Sequence, residues 1–219
     1  MEQIIIKNLS KSYGSLNVLK NVNLTLDRDK TYCLMSPSGT GKTTLFRILM
    51  GLEKADEGDI TWNASSAFSS VSGSVSVSDT DASRPLRISA VFQEDRLCPS
   101  FSPLENVLMV QKKQVSGISG LSREEIRTAM CRLLPEECFN RPVSTLSGGM
   151  KRRTAILRAL LTRSDMLLMD EPFTGLDEGT KEEVIRFLQE YRKGRFLLIS
   201  THQIEDVEKL GGVLITLQD

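Results

Sequence analysis

Short, almost unbroken apolar runs alternate with helix-like segments along much of this chain. The runs include TYCLM (31–35), MLLMD (166–170) and FLLIS (196–200), and segments with apolar residues at helical spacing follow them. A strand that is apolar along its whole length is buried on both faces, which is typical of a parallel sheet covered by helices. The sequence therefore predicts an α/β fold with a mainly parallel sheet. Helices are expected over 43–52, 153–163 and 181–193.

The rest of the chain departs from this alternation in three places. Two strand-like runs at the beginning, IIIKNLS and VLKNVNLTLD, are separated by the turn signal Gly14–Ser15. From about 102 to 147 the pattern becomes helical, and Ser122 and Glu125 have capping-box spacing. The segment 64–83 is rich in serine, which predicts a solvated loop. An irregular hairpin is the alternative, because Val71, Val75 and Val77 alternate with serine.

The composition limits the kinds of function that this chain can have. Lys plus Arg and Asp plus Glu each number 28, so the net charge is zero, which argues against a nucleic-acid partner bound through a basic field. The start MEQIIIKNLS lacks a signal-peptide pattern, and no apolar run approaches the roughly 20 residues needed to cross a bilayer. We therefore expect a soluble, cytoplasmic chain. The four cysteines lack metal-site spacing and are expected to be reduced thiols.

The segment SPSGTGKTT follows the first buried strand and opens a helix, which is the context of a phosphate-binding loop. Its backbone N–H groups are expected to surround the β-phosphate, Lys42 to reach the β- and γ-phosphates, and Thr43 to bind magnesium. The usual pattern begins with glycine, but Pro37 favours extended backbone at Ser36, where serine is unstrained. The loop residues expected to bind nucleotide are Ser36, Pro37, Ser38, Gly39, Thr40, Gly41, Lys42, Thr43 and Thr44.

Polar side chains follow three of the predicted strands, at the sheet edge where α/β proteins bind ligands. Asp170 is suited to hold magnesium and Glu171 to act as the general base, although an acidic turn is the alternative. His202, the single histidine, is placed to contact the γ-phosphate, although isolated histidines are commonly surface residues. Gln93 is placed to reach magnesium or the attacking water, and the catalytic residues are therefore Lys42, Gln93, Glu171 and His202.

Two further features point to nucleotide. Tyr13 is expected in the loop between the first two strands, where its ring can stack on adenine, with core packing as the alternative. In TLSGGMKRR (145–153) a hydroxyl residue and two glycines precede a helix-like run, which leaves backbone N–H groups and a positive dipole end for a phosphate. The chain thus contains two candidate phosphate sites.

These elements, in this order, resemble the nucleotide-binding subunit of the ATP-binding cassette (ABC) family over essentially the whole chain. The resemblance implies one ATPase domain over 1–219, with a P-loop NTPase core (1–93 and 148–219), an N-terminal antiparallel β subdomain and a helical subdomain (94–147). It implies ATP and Mg²⁺ as cofactors. The matching features are Tyr13, the loop 36–44, Gln93, LSGGM (146–150), MLLMDEP (166–172), TGLD (174–177) and His202.

The resemblance also implies the partners. In the family, the signature of one subunit closes over the γ-phosphate of ATP held by the phosphate loop of another, so Ser147, Gly148 and Gly149 are the expected donors and Asp177 lies at that interface. The second subunit is a second copy or a homologous ATPase. Transmembrane permease subunits are expected to dock at 94–107 through Leu97 and Phe101, which places the chain on the cytoplasmic face of the membrane. A solute-binding protein is a further expected partner of an importer.

Besides Ser36, two residues depart from the usual sequence of the family, and three alternatives stay open. Met150 stands where the family usually has glutamine, and Gln203 where an aspartate often follows the histidine. The runs AVFQEDRL and LENV resemble the nitrate, sulfonate and taurine importer branch, while a lipid or peptide exporter is an alternative. A non-transport ABC ATPase of translation or DNA repair is the second hypothesis, and a P-loop kinase or GTPase is the third.

Overall fold

The computed structural model describes residues 2–37, 39–64, 67–72, 86–111 and 121–217, and it gives no side-chain detail for 63, 64 and 67–72. The chain divides into two compact units, Met1–Ile88 with Gly194–Asp219, and Ser89–Lys193. In chain order the elements are β1 (Gln3–Tyr13), β2 (Leu16–Asp27), β3 (Thr31–Leu34), α1 (Lys42–Leu49), β4 (Glu57–Ala64), β5 (Ala67–Ser72), β6 (Ile88–Val91), α2 (Pro103–Leu108), α3 (Arg123–Met130), α4 (Gly148–Leu161), β7 (Met166–Asp170), α5 (Glu178–Tyr191), β8 (Phe196–Ser200), α6 (Ile204–Leu210) and β9 (Val213–Ile215).

An antiparallel sheet forms the N-terminal part of the first unit, in the order β2-β1-β4-β5. The alternation of β1 buries Ile4 and Ile6, and Leu9 is buried beyond an irregularity in the pairing with β2 between Ile6 and Leu9. Ile4 lies opposite Leu26 of β2 and Trp62 of β4, so three strands contribute to the same apolar layer. The two strands predicted on either side of Gly14–Ser15 are confirmed.

The first unit also contains parallel strands, in the order β8-β3-β9. Thr31 of β3 pairs with Leu197 of β8, and Tyr32 pairs with Val213 of β9. Every residue of β3 and of β8 is buried, as the unbroken apolar runs predicted. The carboxyl ends of β3 and β8 therefore lie side by side, because Leu34 pairs with Ser200.

The serine-rich segment is partly a strand. Residues 67–72 form β5 and pair with β4, with Val71 opposite Ile60, so the loop predicted over 64–83 is wrong for this part and the hairpin alternative holds there. Serine is tolerated at such a position because β4 supplies partners for the backbone hydrogen-bonding groups. Residues 73–83, including Val75 and Val77, lie outside the described residues.

The described part of the second unit contains β7, most of β6 and the helices α2, α3, α4 and α5, and α4 packs against α2 and α5. All five residues of β7 are buried, and β6 is its neighbour. Helix α4 begins at Gly148, earlier than the predicted 153, because Ser147 caps it. Helix α5 likewise begins at Glu178, earlier than the predicted 181, because Asp177 caps it. The capping box of Ser122 at α3 is confirmed.

The helices and cysteines test two expectations from the sequence, the absence of a membrane-spanning segment and the presence of reduced thiols. Within the described ranges, none of the helices combines the length and apolar character needed to span a bilayer. Cys33, Cys98, Cys131 and Cys138 are all free thiols, as expected. The predicted helical subdomain, 94–147, lies inside the second unit together with part of the predicted nucleotide-binding core. Its boundaries stay a prediction.

Candidate functional site

The phosphate loop connects β3 to α1 in the first unit, as predicted. The Lys42 side chain is buried and its ammonium donates hydrogen bonds to the carbonyl oxygens of Ser36 and Pro37, the latter at 3.0 Å. Thr40 donates to the Pro37 carbonyl oxygen at 2.8 Å. The loop thus folds around its own cation. Ser38 lies outside the described residues.

Two glycines of this loop are held in backbone conformations that suit only glycine. Gly39 and Gly41 have φ of 87° and 90°. A Cβ atom at Gly41 would also lie 2.6 Å from Leu19 Cδ2 and 2.7 Å from the Val18 carbonyl oxygen, whereas nothing lies within 4 Å of one at Gly39. Gly41 is therefore required both by its backbone conformation and by the close approach of β2.

Ser36 has the unstrained backbone that Pro37 predicted. Among the described residues, those with positive φ other than glycine are Asn8, Asn21, Arg96, Glu171 and Lys193, and Ser36 is not among them. The side chain does more than fit, however. Ser36 is buried, and its hydroxyl oxygen accepts a hydrogen bond from the Leu217 backbone N–H at 2.8 Å. A glycine cannot make this bond, so the serine ties the loop to the segment after β9.

His202 follows β8 at the sheet edge that carries the phosphate loop. The Thr201 backbone N–H donates to the Leu34 carbonyl oxygen at 3.2 Å, which joins the end of β8 to the end of β3. Thr201 is buried, and its hydroxyl donates to the buried carboxylate of Asp206 at 2.5 Å and accepts from the Gln203 N–H at 3.1 Å. The exposed His202 therefore lies on a turn that is fixed by the hydrogen bonds of Thr201. No role for Asp206 is predicted from the sequence, where the available signal is an aspartate four residues after the histidine.

Tyr13 was predicted to lie in a loop, but it is the last residue of β1, where it pairs with Leu16. Strand pairing continues to the turn itself because Gly14 supplies the positive φ that a tight turn needs. The Tyr13 side chain is 47% exposed, which excludes simple core packing. Its hydroxyl donates to the Glu53 carboxylate, and this bond raises the pKa of Tyr13 while the nearby Thr44 hydroxyl opposes the rise. Tyr13 therefore lies beside the phosphate loop.

The carboxylate pair ends β7 in the second unit. Asp170 is the last residue of the strand and is buried, and Glu171 is partly exposed with a left-handed φ of 48°. Left-handed backbone is uncommon in a side chain of this size and is a frequent feature of functional sites. The Thr174 hydroxyl lies 3.5 Å from Glu171 Oε2. The turn separates the two carboxylates, with Asp170 in the strand and Glu171 outside it.

The signature motif forms the start of α4. Ser147 is the N-cap, and its hydroxyl oxygen accepts a bond from the Met150 N–H at 3.4 Å. Ser147 and Gly148 are exposed at the end of a helix of 14 residues, so a positive dipole end faces solvent there. A Cβ atom at Gly149 would lie 3.6 Å from Leu176, so the signature adjoins the TGLD segment. Asp177 of that segment caps α5 by accepting from Thr180.

Gln93 follows β6, and its side chain is exposed. Its backbone is held by α4, because the Arg152 guanidinium donates to the carbonyl oxygens of Phe92 and Gln93, both at 2.7 Å. Of KRR (151–153), Arg153 also donates to a backbone carbonyl, that of Leu133 at 2.6 Å. Both arginines therefore line the signature helix, as their positions suggested.

The two predicted docking side chains differ in environment. Leu97 packs against the buried cluster of Cys138, Val143 and Leu146, whereas Phe101 is 42% exposed. Phe101 is therefore the more exposed of the two side chains, and Leu97 is partly buried. The structure places Tyr13, the phosphate loop and His202 in the first unit, and Gln93, Asp170, Glu171 and the signature in the second.

Known proteins are similar to this chain over the range that carries most of these motifs. A family model described as ABC transporter matches residues 19–174, a range that includes the phosphate loop, Gln93, the signature and the carboxylates. The lipoprotein-releasing system ATP-binding protein LolD of Porphyromonas gingivalis is 36% identical over 205 residues, covering 90% of this chain and 88% of that protein. The sulfate/thiosulfate import ATP-binding protein CysA of Halalkalibacterium halodurans is 32% identical over 209 residues, covering 94% of this chain and 55% of that protein. The chain thus spans little more than half the length of the latter.

Solved structures agree with the fold. The dimeric structure of MJ0796, a bacterial ABC transporter cassette, superposes with a TM-score of 0.78 at 29% identity, covering 98% of this chain and 94% of that one. The same figures hold for the post-hydrolysis state of MJ0796 bound to ADP and Pi. These matches confirm the predicted α/β P-loop fold and exclude the kinase and GTPase alternatives. The chain belongs to the ABC transporter family, as an ATP-binding cassette that hydrolyses ATP.

Proposed function

We propose that this chain powers a membrane transporter by pairing with a second cassette around ATP. The observation that carries the proposal is that the chain has two separate structures suited to a phosphate: the loop around Lys42 and the exposed N-terminus of α4 at Ser147. Two such structures are needed if each nucleotide is held by the loop of one subunit and covered by the signature of the other. The dimeric MJ0796 cassette supports this arrangement.

The phosphate loop has the features that a nucleotide requires. Gly41 leaves room where a Cβ atom would collide with β2, and Lys42 supplies the cation for the β- and γ-phosphates. We propose that Tyr13 stacks on adenine and that residues 36–44 bind the phosphates, with Ser147, Gly148 and Gly149 acting on the partner's nucleotide. Asp177 lies beside that interface.

The donor set also fits magnesium. A Thr43 hydroxyl, an Asp170 carboxylate and a Gln93 amide are the hard oxygen ligands that Mg²⁺ prefers; Thr43 lies in the first turn of α1, Asp170 is the last residue of β7, and Gln93 follows β6. Bound Mg²⁺ would neutralise the charge of the phosphates. Glu171 would accept the proton of the attacking water as general base, Gln93 would orient that water, and His202 would donate to the γ-phosphate.

The remaining partners follow from the family. We propose that permease subunits dock on 94–107 through Phe101, which places the chain on the cytoplasmic face of a membrane. A solute-binding protein would join it in an importer. Relatives named for import and for lipoprotein release match at similar identity, so the sulfonate-type importer branch stays a prediction. The alternative function in translation or DNA repair is not favoured, because both relatives are named for transport systems.

A mixing experiment tests whether the sites form between subunits. Lys42→Ala damages the phosphate loop, and Ser147→Arg puts a bulky cation where the γ-phosphate is expected. In a heterodimer of the two variants, sites formed across the interface would confine both lesions to one site and leave the other intact. We expect the mixture to occlude ATP and release phosphate, which neither variant does alone.

The homodimers of each variant are the controls, and tagged subunits establish that heterodimers form. If confirmed heterodimers neither occlude ATP nor release phosphate, the signature acts on its own chain's nucleotide and the paired arrangement is wrong.

A further inference from the structure

One arginine of α4, the helix that begins with the signature LSGGM (146–150), holds the backbone of residues 92–101, here called the glutamine loop. Arg152 is only 6% exposed, and its two terminal nitrogens donate to the consecutive carbonyl oxygens of Phe92 and Gln93. Arg152 Nη1 also lies 3.2 Å from Asp95 Oδ1, a buried atom without a hydrogen bond of its own, so this contact is ionic in character. A planar guanidinium presents its two terminal nitrogens in a fixed geometry, so it holds two carbonyl oxygens more rigidly than the single rotating ammonium of a lysine does.

A second arginine holds the next turn of the same loop. Arg158 donates to the carbonyl oxygens of Arg96 at 2.9 Å and Asp95 at 3.1 Å. Arg96 itself has a left-handed φ of 45°, and its guanidinium lies 4.2 Å from the centre of the Phe92 ring. Helix α4 thus supplies four hydrogen bonds to the backbone of residues 92–96.

The loop is joined to the signature from the other side as well. The N–H groups of Val143 and Ser144, just before the signature, donate to the carbonyl oxygens of Phe101 at 2.8 Å and Pro99 at 2.9 Å. Leu97 of the loop and Met150 of the signature pack against one cluster, formed by Cys138, Val143 and Leu146. Polar and apolar contacts therefore both fix the loop relative to the start of α4.

From these contacts we propose that Arg152 is a positioning residue for Gln93, which it holds in place relative to the signature helix without touching nucleotide. This inference rests on the proposed role of Gln93 in hydrolysis. Two bonds to adjacent carbonyl oxygens fix the peptide that carries the Gln93 side chain, so loss of the fork lets the amide move away from its working position. A small displacement of such a group is costly to the rate.

The test compares Arg152→Met, Arg152→Lys and a control on the same helix, Arg153→Lys, whose guanidinium bonds Leu133 instead. We expect Arg152→Met to lower kcat about tenfold or more while KM for ATP changes less than about twofold, since the phosphate loop is unaltered. Arg152→Lys should recover part of the loss. Amide hydrogen exchange over 92–96 should accelerate in Arg152→Met and remain unchanged in Arg153→Lys.

A double-mutant cycle separates positioning from general stabilisation. In a Gln93→Ala background, Arg152→Met should lower kcat by less than about twofold, because the group that it positions is already absent. Full additivity of the two losses, or unchanged exchange over 92–96, would overturn this inference and leave the proposed function standing. Wild-type turnover in Gln93→Ala would instead contradict the proposed role of Gln93, and this inference with it.

Discussion

The two candidate phosphate-binding structures of this chain, the loop 36–44 and the start of α4, are built in different ways. The loop depends mainly on residues close in sequence: Lys42 donates to carbonyl oxygens five and six residues before it, and Gly39 and Gly41 set the backbone. The hydrogen bond from Leu217 and the approach of β2 add contacts from distant segments. The start of α4 is capped locally by Ser147, but its surroundings come from far along the chain, through Arg152 and the segment 92–101. The first structure is therefore mostly local, and the second depends largely on tertiary contacts.

This difference explains how each site responds to substitution. In the phosphate loop, a change acts directly on the conformation of a short segment and on the nucleotide that it binds. In the signature region, a change in the helix alters the position of the glutamine loop, some 60 residues away in sequence. The local site is expected to lose binding when it is damaged, and the long-range site to lose turnover.

Glu171→Gln should have the largest effect and lies on neither phosphate structure. The amide keeps the shape of the side chain but cannot accept a proton, so we expect turnover to fall by about 10² or more while ATP still binds. Because hydrolysis no longer opens the pair, ATP should hold two chains together on a sizing column. A monomer at saturating ATP would contradict the paired arrangement.

Substitutions of Gly39 and Gly41 test how the conformation of the phosphate loop is maintained. Gly41→Ala adds a Cβ atom 2.6 Å from Leu19 and places an alanine in a backbone conformation with φ of 90°. We therefore expect it to lower the free energy of unfolding by about 3 kcal/mol and to abolish ATP binding. Gly39→Ala is strained only by its φ of 87°, and should cost about 1 kcal/mol. Urea unfolding measures both. Equal losses would show that the approach of β2 does not matter.

Ser36→Ala tests a distant contact of the phosphate loop, the hydrogen bond from the Leu217 N–H. Removing the hydroxyl leaves the buried Leu217 N–H without its partner, and we expect the free energy of unfolding to fall by about 1 kcal/mol. Ser36→Gly should lose slightly more, because glycine also gains freedom in the unfolded chain. If only the glycine variant is destabilised, the hydrogen bond to Leu217 contributes nothing.

Asp177→Asn should have the smallest effect and depends on pH. Hydrogen bonds from the backbone and side chain of Thr180 hold the pKa of Asp177 below its usual 3.8. A lowered pKa stabilises the fold at pH values above the unfolded pKa, and this contribution disappears as pH falls through the folded value. Asparagine caps helices without titrating. The melting temperatures of the two proteins should therefore differ slightly near neutral pH and converge as the pH falls through the folded pKa of Asp177; a constant difference would contradict the lowered pKa.

Local patterns predicted most of the elements that carry these residues. Buried strands, the capping box of Ser122 and the phosphate loop appear where the sequence placed them, because each depends on spacing and chemistry within a few residues. Helix starts were misplaced where a cap was not recognised, as at Ser147 and Asp177. The position of Tyr13 in β1 was missed, because strand pairing extends up to the turn.

The sequence by itself determined the family, the α/β fold and the chemical groups available for nucleotide, since glycine spacing and unbroken apolar strands constrain the backbone directly. Only the tertiary structure decided which side chains support those groups. In the sequence, Arg152 and Arg158 are ordinary cations of a helix, and only the fold brings them to carbonyl oxygens about 60 residues away. Ser36 is predicted only to be tolerated, and the fold adds its hydrogen bond from the Leu217 N–H. Hydrogen bonds between distant segments leave no periodic signal in a sequence, because the residues around one partner do not indicate where the other partner lies.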